Sequence, residues 1–372
     1  MTGTPLDGVR VIDLTHHLGG PLATMALAQL GADVIKVEPP EGDQWRMVDD
    51  VLGESRVFHA ANRDKRGIVL DLHTDEGRRD LLGLALSADV VVHSFAPGVA
   101  ERIGAGPVEL MAANPRLVYC ALSAFGPAGP RGTDMALQSE SGLVTANGGR
   151  PLPVPVHDTL VPWIMVAGIL AALLERERSG RGQVVETSLL EAAGALAAHR
   201  LIREGSGEPL FNRFVGALYR PYPTYDGGVA LACYPPRLHE RALRALGLEN
   251  LLDDPRFADL PARARHSDEL AILIGERMLQ HPTAHWQEVL SAAELPHGTV
   301  SGVAFSLLDH PHARALGLVV EIDDPTLGPE TVTGPPLRLS RTPARTGRPA
   351  PRLGQHTDEV LRESRAAIAG AR

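Results

Sequence analysis

In the stretch PVPVHDTLVPWIMVAGILAALLERERSG a lone carboxylate, Asp158, stands at the entrance to an uncharged and almost wholly apolar run, Leu160 to Leu174. Two kinds of chemistry fit that placement. Asp is a preferred N-cap residue, so Asp158 ahead of an apolar helix can satisfy the helix's first amides. The same position lies at the positive end of a helix macrodipole, which favours the ionised carboxylate that a nucleophile needs. A second acid, Asp134 in GPAGPRGTDMALQSESG, follows turn-rich sequence and precedes a helical pattern, where capping is again the simple reading. If the two acids approach each other, like-charge coupling raises one pKa and creates an acid/base pair.

Two further clusters carry polar chemistry. HHLGGP at 16 to 21 puts His16 and His17 before a Gly-Gly turn at the end of an apolar run, where α/β folds bind ligands. It lacks the G-x-G-x-x-G spacing of a dinucleotide site, and neither histidine has a second metal ligand at useful spacing. ANRDKRG at 61 to 67 gathers Arg63, Lys65 and Arg66 just before another apolar run. A solvated turn explains it; so does a phosphate-rich ligand, which Arg and Lys bind through charge-assisted hydrogen bonds.

The elements that must position these residues follow from periodicity. GVRVIDLT, the helical GGPLATMALAQLGA and DVIKVEPP read as strand, helix and strand. RGIVLDL, a helix whose N-terminal end suits Thr74, DVVVHSF and RLVYCALSAF continue the alternation, which predicts a mainly parallel, doubly wound sheet. After the apolar helix, SGRGQVVETSLLEAAGALAAHRLI adds a turn, a strand and a helix. Periodicity then fades, and YPTYDGGVALACY gives a hairpin around Asp226-Gly227-Gly228, with helices near 237 to 247, 267 to 280 and 283 to 293. The expected organisation is a large Rossmann-like domain from 1-200, a linker at 201-221, a smaller α+β domain at 222-315, a second linker at 316-340 and a C-terminal part, 341-372, returning to the large domain. The last helix has Thr357 as its expected cap.

Composition bounds the partners. With 372 residues, 44% hydrophobic and 22% charged, the chain is large enough for two domains. A net charge of -9 argues against sequence-independent binding to nucleic acid or anionic membrane. Two cysteines, Cys120 and Cys233, suit a reducing, cytoplasmic compartment without a disulfide framework. The N-terminal residues show no signal-peptide pattern, and the apolar run falls short of the roughly 20 residues a membrane span needs, so a buried core helix is expected.

Taken together, GADVIKVEPPEGD, NRDKRGIVLDL, SFAPGVAERIG, GILAALLERERSGRGQVVETSLLEAA, YPTYDGG and LGQHTDEVL resemble the class III CoA-transferase family, to which formyl-CoA and carnitine CoA-transferases belong and α-methylacyl-CoA racemase is related. The resemblance runs from about residue 5 to residue 362. It implies an interlocked homodimer acting on small-molecule acyl-CoA and carboxylate substrates, with coenzyme A as part of the substrate and no metal. The family nucleophile, an aspartate ten residues before the Gly of GILAALL, falls on Asp158, and the acidic residue of the family's YE or HD motif falls on Asp134. On this resemblance Asp158 is both cap and nucleophile, Gly20-Pro21 shapes the pocket, and His17, Leu18, Arg63, Lys65, Arg66, Leu72, Ser94, Phe95 and Arg102 contact CoA.

Several positions depart from the family pattern. Thr133 stands where the racemases have a histidine base, leaving His157 as the conceivable substitute and racemisation as the alternative activity. ENFRPG appears as HSFAPG, with Ser94 and Ala96 replacing Asn and Arg, and Pro39 stands where a basic residue often follows KVE. These losses also raise a third reading, a family member that binds a carrier-linked acyl ligand. Leu18 in place of the formyl-CoA transferase glutamine points away from oxalate and toward a larger or more apolar acyl group.

Overall fold

After Arg10 every residue of RVIDL is buried, the pattern of a strand covered on both faces. In the computed structural model, which describes residues 3–48, 55–199, 216–233, 235–302, 306–325 and 327–370, this run is β1 (Arg10–Leu14). It is followed by α1 (Gly19–Gln29), β2 (Asp33–Glu38), α2 (Arg56–Asn62), β3 (Arg66–Val69), α3 (Asp75–Leu86), β4 (Val90–His93), α4 (Val99–Arg102), α5 (Pro107–Ala113), β5 (Val118–Ser123), α6 (Asp134–Glu140), α7 (Leu143–Ala146), α8 (Val156–Ser179), β6 (Val184–Ser188) and α9 (Leu189–Ala197). The strands form one sheet in the order β3-β2-β1-β4-β5-β6, with every pair parallel. The sheet is therefore doubly wound as the alternation predicts. Its order reverses between β1 and β4, and a crevice opens there at the strands' C-terminal ends.

Alternate residues of each strand supply two cores. Val11 and Val92 pack with Leu27 of α1 and Met165 and Ile169 of α8, while Ile12 and Ile35 pack with Leu81 and Leu84 of α3. Helix α8 is long and apolar enough to cross a membrane by composition. Its fully buried Val161, Met165 and Ile169 instead belong to the sheet's core, as expected for a core helix. Thr74 caps α3 by accepting from the Gly77 amide at 3.1 Å.

The chain divides into two compact units, Met1–His199 with Leu308–Arg372, and Arg200–Leu307. The second contains β7 (Tyr219–Pro223), β8 (Gly228–Ala232), α10 (His239–Ala245), α11 (Leu260–Arg265), α12 (Ser267–Met278), α13 (Thr283–Ala292) and β9 (His297–Thr299). Its antiparallel sheet, β7-β8-β9, covers a separate core around Phe257, Ile274 and Trp286. Most of the expected linker at 201-221 lies outside the described residues, and its last three join β7. The chain then forms α14 (Pro311–Ala315), β10 (Val319–Asp324), β11 (Gly328–Thr333) and α15 (Thr357–Gly370). Strands β10 and β11 make an antiparallel hairpin where the sequence suggests a linker at 316-340. Thr357 is the first helical residue of α15, and its hydroxyl accepts from the Val69 amide, tying the helix to β3 instead of capping it.

Candidate active site

The turn between β1 and α1 is fixed from below by buried charge. Asp13 Oδ1 accepts from the Thr15 amide at 2.9 Å and the Thr15 hydroxyl at 2.5 Å, and Oδ2 accepts from Thr24 at 2.7 Å and Lys65 Nζ at 2.9 Å. Burial alone would raise the Asp13 carboxyl, but Lys65, Lys36 and the two hydroxyls hold it well below the usual range. Lys65 Nζ donates its two other protons to Pro21 O and Asn62 Oδ1. Lys36 Nζ reaches Thr15 O at 2.9 Å and Asp43 at 3.0 Å. The turn held this way carries His17 at φ 65°, a left-handed conformation uncommon for a non-glycine residue and a sign of local constraint.

Facing this turn is the start of α8. Asp158 is not its N-cap: the helix begins at Val156 after Pro155, which places Asp158 in the first turn. The cap comes from 24 residues upstream. Asp134 begins α6, after Thr133, and its Oδ1 accepts from the His157 amide at 2.7 Å, His157 Nδ1 at 3.0 Å and the Asp158 amide at 3.4 Å. Its Oδ2 accepts from Gln138 Nε2 at 2.6 Å. Gln138 is itself buried and fixed through Val154 O and the Leu152 amide. Because Asp134 satisfies the helix end, the Asp158 carboxylate is left without a hydrogen-bond or ion-pair partner among the described residues. Burial, with the like charge of Asp134 behind it, pushes the Asp158 carboxyl up to about 7.

Asp158 opens onto a cavity of roughly 420 Å³ shared with His16, His17, Trp45, Phe95 and Leu189. Gly19 forms its wall nearest the acid, since a Cβ there would sit 3.3 Å from Asp158 Oδ1. Gly20 packs instead against Thr15, and of Gly19, Gly20 and Pro21 only Gly19 lines this cavity. A second cavity, of roughly 510 Å³, lies beyond the C-terminal ends of β1, β2 and β3 and shares His16, Phe95 and Arg131 with the first.

The residues expected to contact CoA divide between these surroundings. His17 and Ser94 line the first cavity, Leu72 and Arg102 the second, and Phe95 both. Ser94 also orders the turn by accepting from the His16 amide at 2.8 Å. Leu18 lines neither cavity and occupies the N-cap position of α1. Arg63, Lys65 and Arg66, expected to contact CoA, line neither of these two cavities. Lys65 is enclosed by its three acceptors, Arg66 binds Asp33, Glu359 and Glu363, and Arg63 donates to Ala60 O and Thr333 O. The sequence shows these cations but not the acids and carbonyls folded onto them. Conversely, Trp45 and Arg131, which sequence reasoning passed over, line the cavity beside Asp158. Arg131 stands three positions before Asp134 in a Pro-Gly loop, exposed and without an ion-pair partner among the described residues.

A free, partly buried carboxylate in the first turn of a helix thus lies beside a cavity at the switch point of a doubly wound sheet. The sequence profile of CoA-transferase family III matches residues 6–357, and the chain belongs to that family. It is 35% identical to the succinate–glutarate CoA-transferase of Agrobacterium fabrum, over 96% of this chain and 95% of that one. It is 31% identical to the formyl-CoA:oxalate CoA-transferase of Rhodopseudomonas palustris, over 96% and 93%. Among solved structures, Rv3272 of Mycobacterium tuberculosis superposes with a TM-score of 0.85 at 30% identity, covering 96% of this chain and 99% of that one. A CAIB/BAIF family protein from Brucella suis gives 0.84 at 31% identity, covering 97% and 100%. The protein is an enzyme of the CoA-transferase class, as the motifs imply.

Proposed function

We propose that the protein moves CoA from an acyl-CoA to an acceptor carboxylate through covalent intermediates on Asp158. The observation that carries this reading is the uncommitted Asp158 carboxylate on the cavity wall, with Asp134 doing the capping in its place. Asp158 attacks the thioester carbonyl, the C–S bond breaks, and CoA thiolate leaves a mixed anhydride. The thiolate then attacks the aspartyl carbonyl, releasing the first acid and leaving an aspartyl-CoA thioester. An acceptor carboxylate displaces CoA from that thioester to give a second anhydride. Attack of the thiolate on its acceptor-side carbonyl yields the new acyl-CoA and restores Asp158. No oxidant or net proton is consumed.

Trp45, Phe95, Leu122 and Leu189 around the first cavity suit an acyl group larger and more apolar than oxalate. Racemisation receives no support from His157, which is fully buried, binds Asp134 and lines neither cavity. The working protein in this reading is an interlocked homodimer in the cytoplasm.

Incubation with a panel of acyl-CoAs and hydroxylamine, followed by peptide mass spectrometry, tests the mechanism. Hydroxylamine converts an activated aspartyl group to a hydroxamate, expected on Asp158 and absent from Asp158→Asn. Acyl-CoA binding without modification would sink the covalent route.

A further inference from the structure

We propose that the enzyme does not recognise the 3′-phosphate of its nucleotide, so that thioesters of 3′-dephospho-CoA serve as donors equally with CoA thioesters. The inference rests on the CoA-transfer reading and on the second cavity as the seat of the donor's adenosine end. That cavity adjoins the Asp158 cavity through His16, Phe95 and Arg131, so a donor with its thioester at Asp158 has its other end within reach of it.

The second cavity's walls are mainly apolar, with Leu14, Val37, Leu70, Leu72, Val99 and Ile103 suited to a purine and its ribose. Its charges give no surplus for a third phosphate. Both Glu38 oxygens are engaged by Arg46, at 2.7 and 2.8 Å. The remaining carboxylates in the lining, Glu41 and Asp71, equal Arg102 and Arg131 in number. The ADP part of CoA carries roughly four negative charges near neutral pH, close to two of them on the 3′-phosphate. Two guanidiniums can serve the diphosphate, and the described lining holds no third permanent cation.

The neighbouring sequence does not make up the deficit. Pro39 occupies the rim at the end of β2, and Arg63, Lys65 and Arg66 are held in the fold by Asp13, Asp33, Glu363 and backbone carbonyls. A 3′-phosphate brought against Glu41 or Asp71 would meet like charge; left in water, it is well solvated and contributes little either way.

Calorimetric titration with CoA and 3′-dephospho-CoA, alongside kcat/KM for the succinyl thioester of each, tests the proposal. Both ratios are expected within about threefold of unity, and a loss of roughly thirtyfold or more with the dephospho compounds would overturn it. Pro39→Arg is expected to create a preference for CoA of about tenfold; an unchanged ratio in that variant would mean that the nucleotide sits elsewhere, overturning the proposal too. Equal binding of both nucleotides with transfer from neither thioester would remove the transferase reading and the donor part of this proposal, leaving only the indifference to the 3′-phosphate. Binding of neither would remove both.

Discussion

In the reaction proposed above, Asp158 gains its reactivity from what its neighbour does. A carboxylate at a helix start normally turns back on the helix amides, and that use would hold its oxygens away from a substrate. Here Asp134 fills that role through its three contacts on one oxygen, while its charge and the burial of the site keep the Asp158 carboxyl up to about 7. The attacking species is the carboxylate, so its fraction falls with decreasing pH. The single-turnover rate of Asp158 acylation is therefore expected to drop about tenfold per unit below pH 7 and to level off above it. Asp134→Asn keeps an acceptor oxygen for the helix amides and removes the like charge, which lowers the Asp158 pKa. Its acidic limb should move to lower pH, by up to about one unit. Rapid-quench measurement of the covalent adduct across pH 5 to 9 reads both limbs, and a limb that stays put in the variant would show that Asp134 does not set the Asp158 charge.

Helices α1 and α8 bring the site together, and their close approach depends on glycine at one position. A Cβ on Gly19 would meet Val161 Cγ1 at 2.8 Å and Asp158 Oδ1 at 3.3 Å, so both the packing of the helices and the approach to the carboxylate need its absence. Gly19→Ala is expected to cost about 1–3 kcal/mol of stability and at least tenfold in acylation rate, measured by denaturant unfolding and single-turnover kinetics. Wild-type values in both assays would show that the turn yields freely. The strands behind this arrangement were legible because buried parallel strands read as short apolar runs bounded by turns, as in VIDL and VVVH. The Asp134–Asp158 pairing was not, since 24 residues separate the acids and the packing of α6 against α8 decides whether they meet. Arg63, Lys65 and Arg66 read as a cluster of free cations because the sequence does not show what folds onto them: Asp13 for Lys65, Asp33 and Glu363 for Arg66, and backbone carbonyls for Arg63. The hairpin of β10 and β11 was hidden by the Gly-Pro that opens β11, although VVEIDD and GPETVT pair residue for residue.

At the scale of the whole molecule, the helices that carry the site leave an apolar surface. Trp163 and Leu174 on α8 and Leu190 and Leu196 on α9 are each at least 38% exposed, with Ala167 and Ala171 along the same side of α8. Exposed apolar side chains of this kind suit an interface, and in the homodimer proposed above a second copy of the chain would cover them. Interlocking adds a kinetic consequence that an ordinary dimer lacks. Threaded chains cannot separate without unfolding, so their exchange is limited by the unfolding rate and not by interface affinity. Two populations carrying different affinity tags, purified separately and mixed under native conditions, are expected to form no doubly tagged dimers over a day, whereas co-expression yields them readily. Light scattering should give the two-chain mass even at nanomolar concentration. Exchange within minutes would mean two copies resting side by side, and a one-chain mass would leave the apolar face of α8 and α9 without its occupant. A Leu174→Glu substitution separates the cases further: side-by-side copies would fall apart into folded monomers, while threaded chains would lose the folded dimer with no stable monomer to replace it.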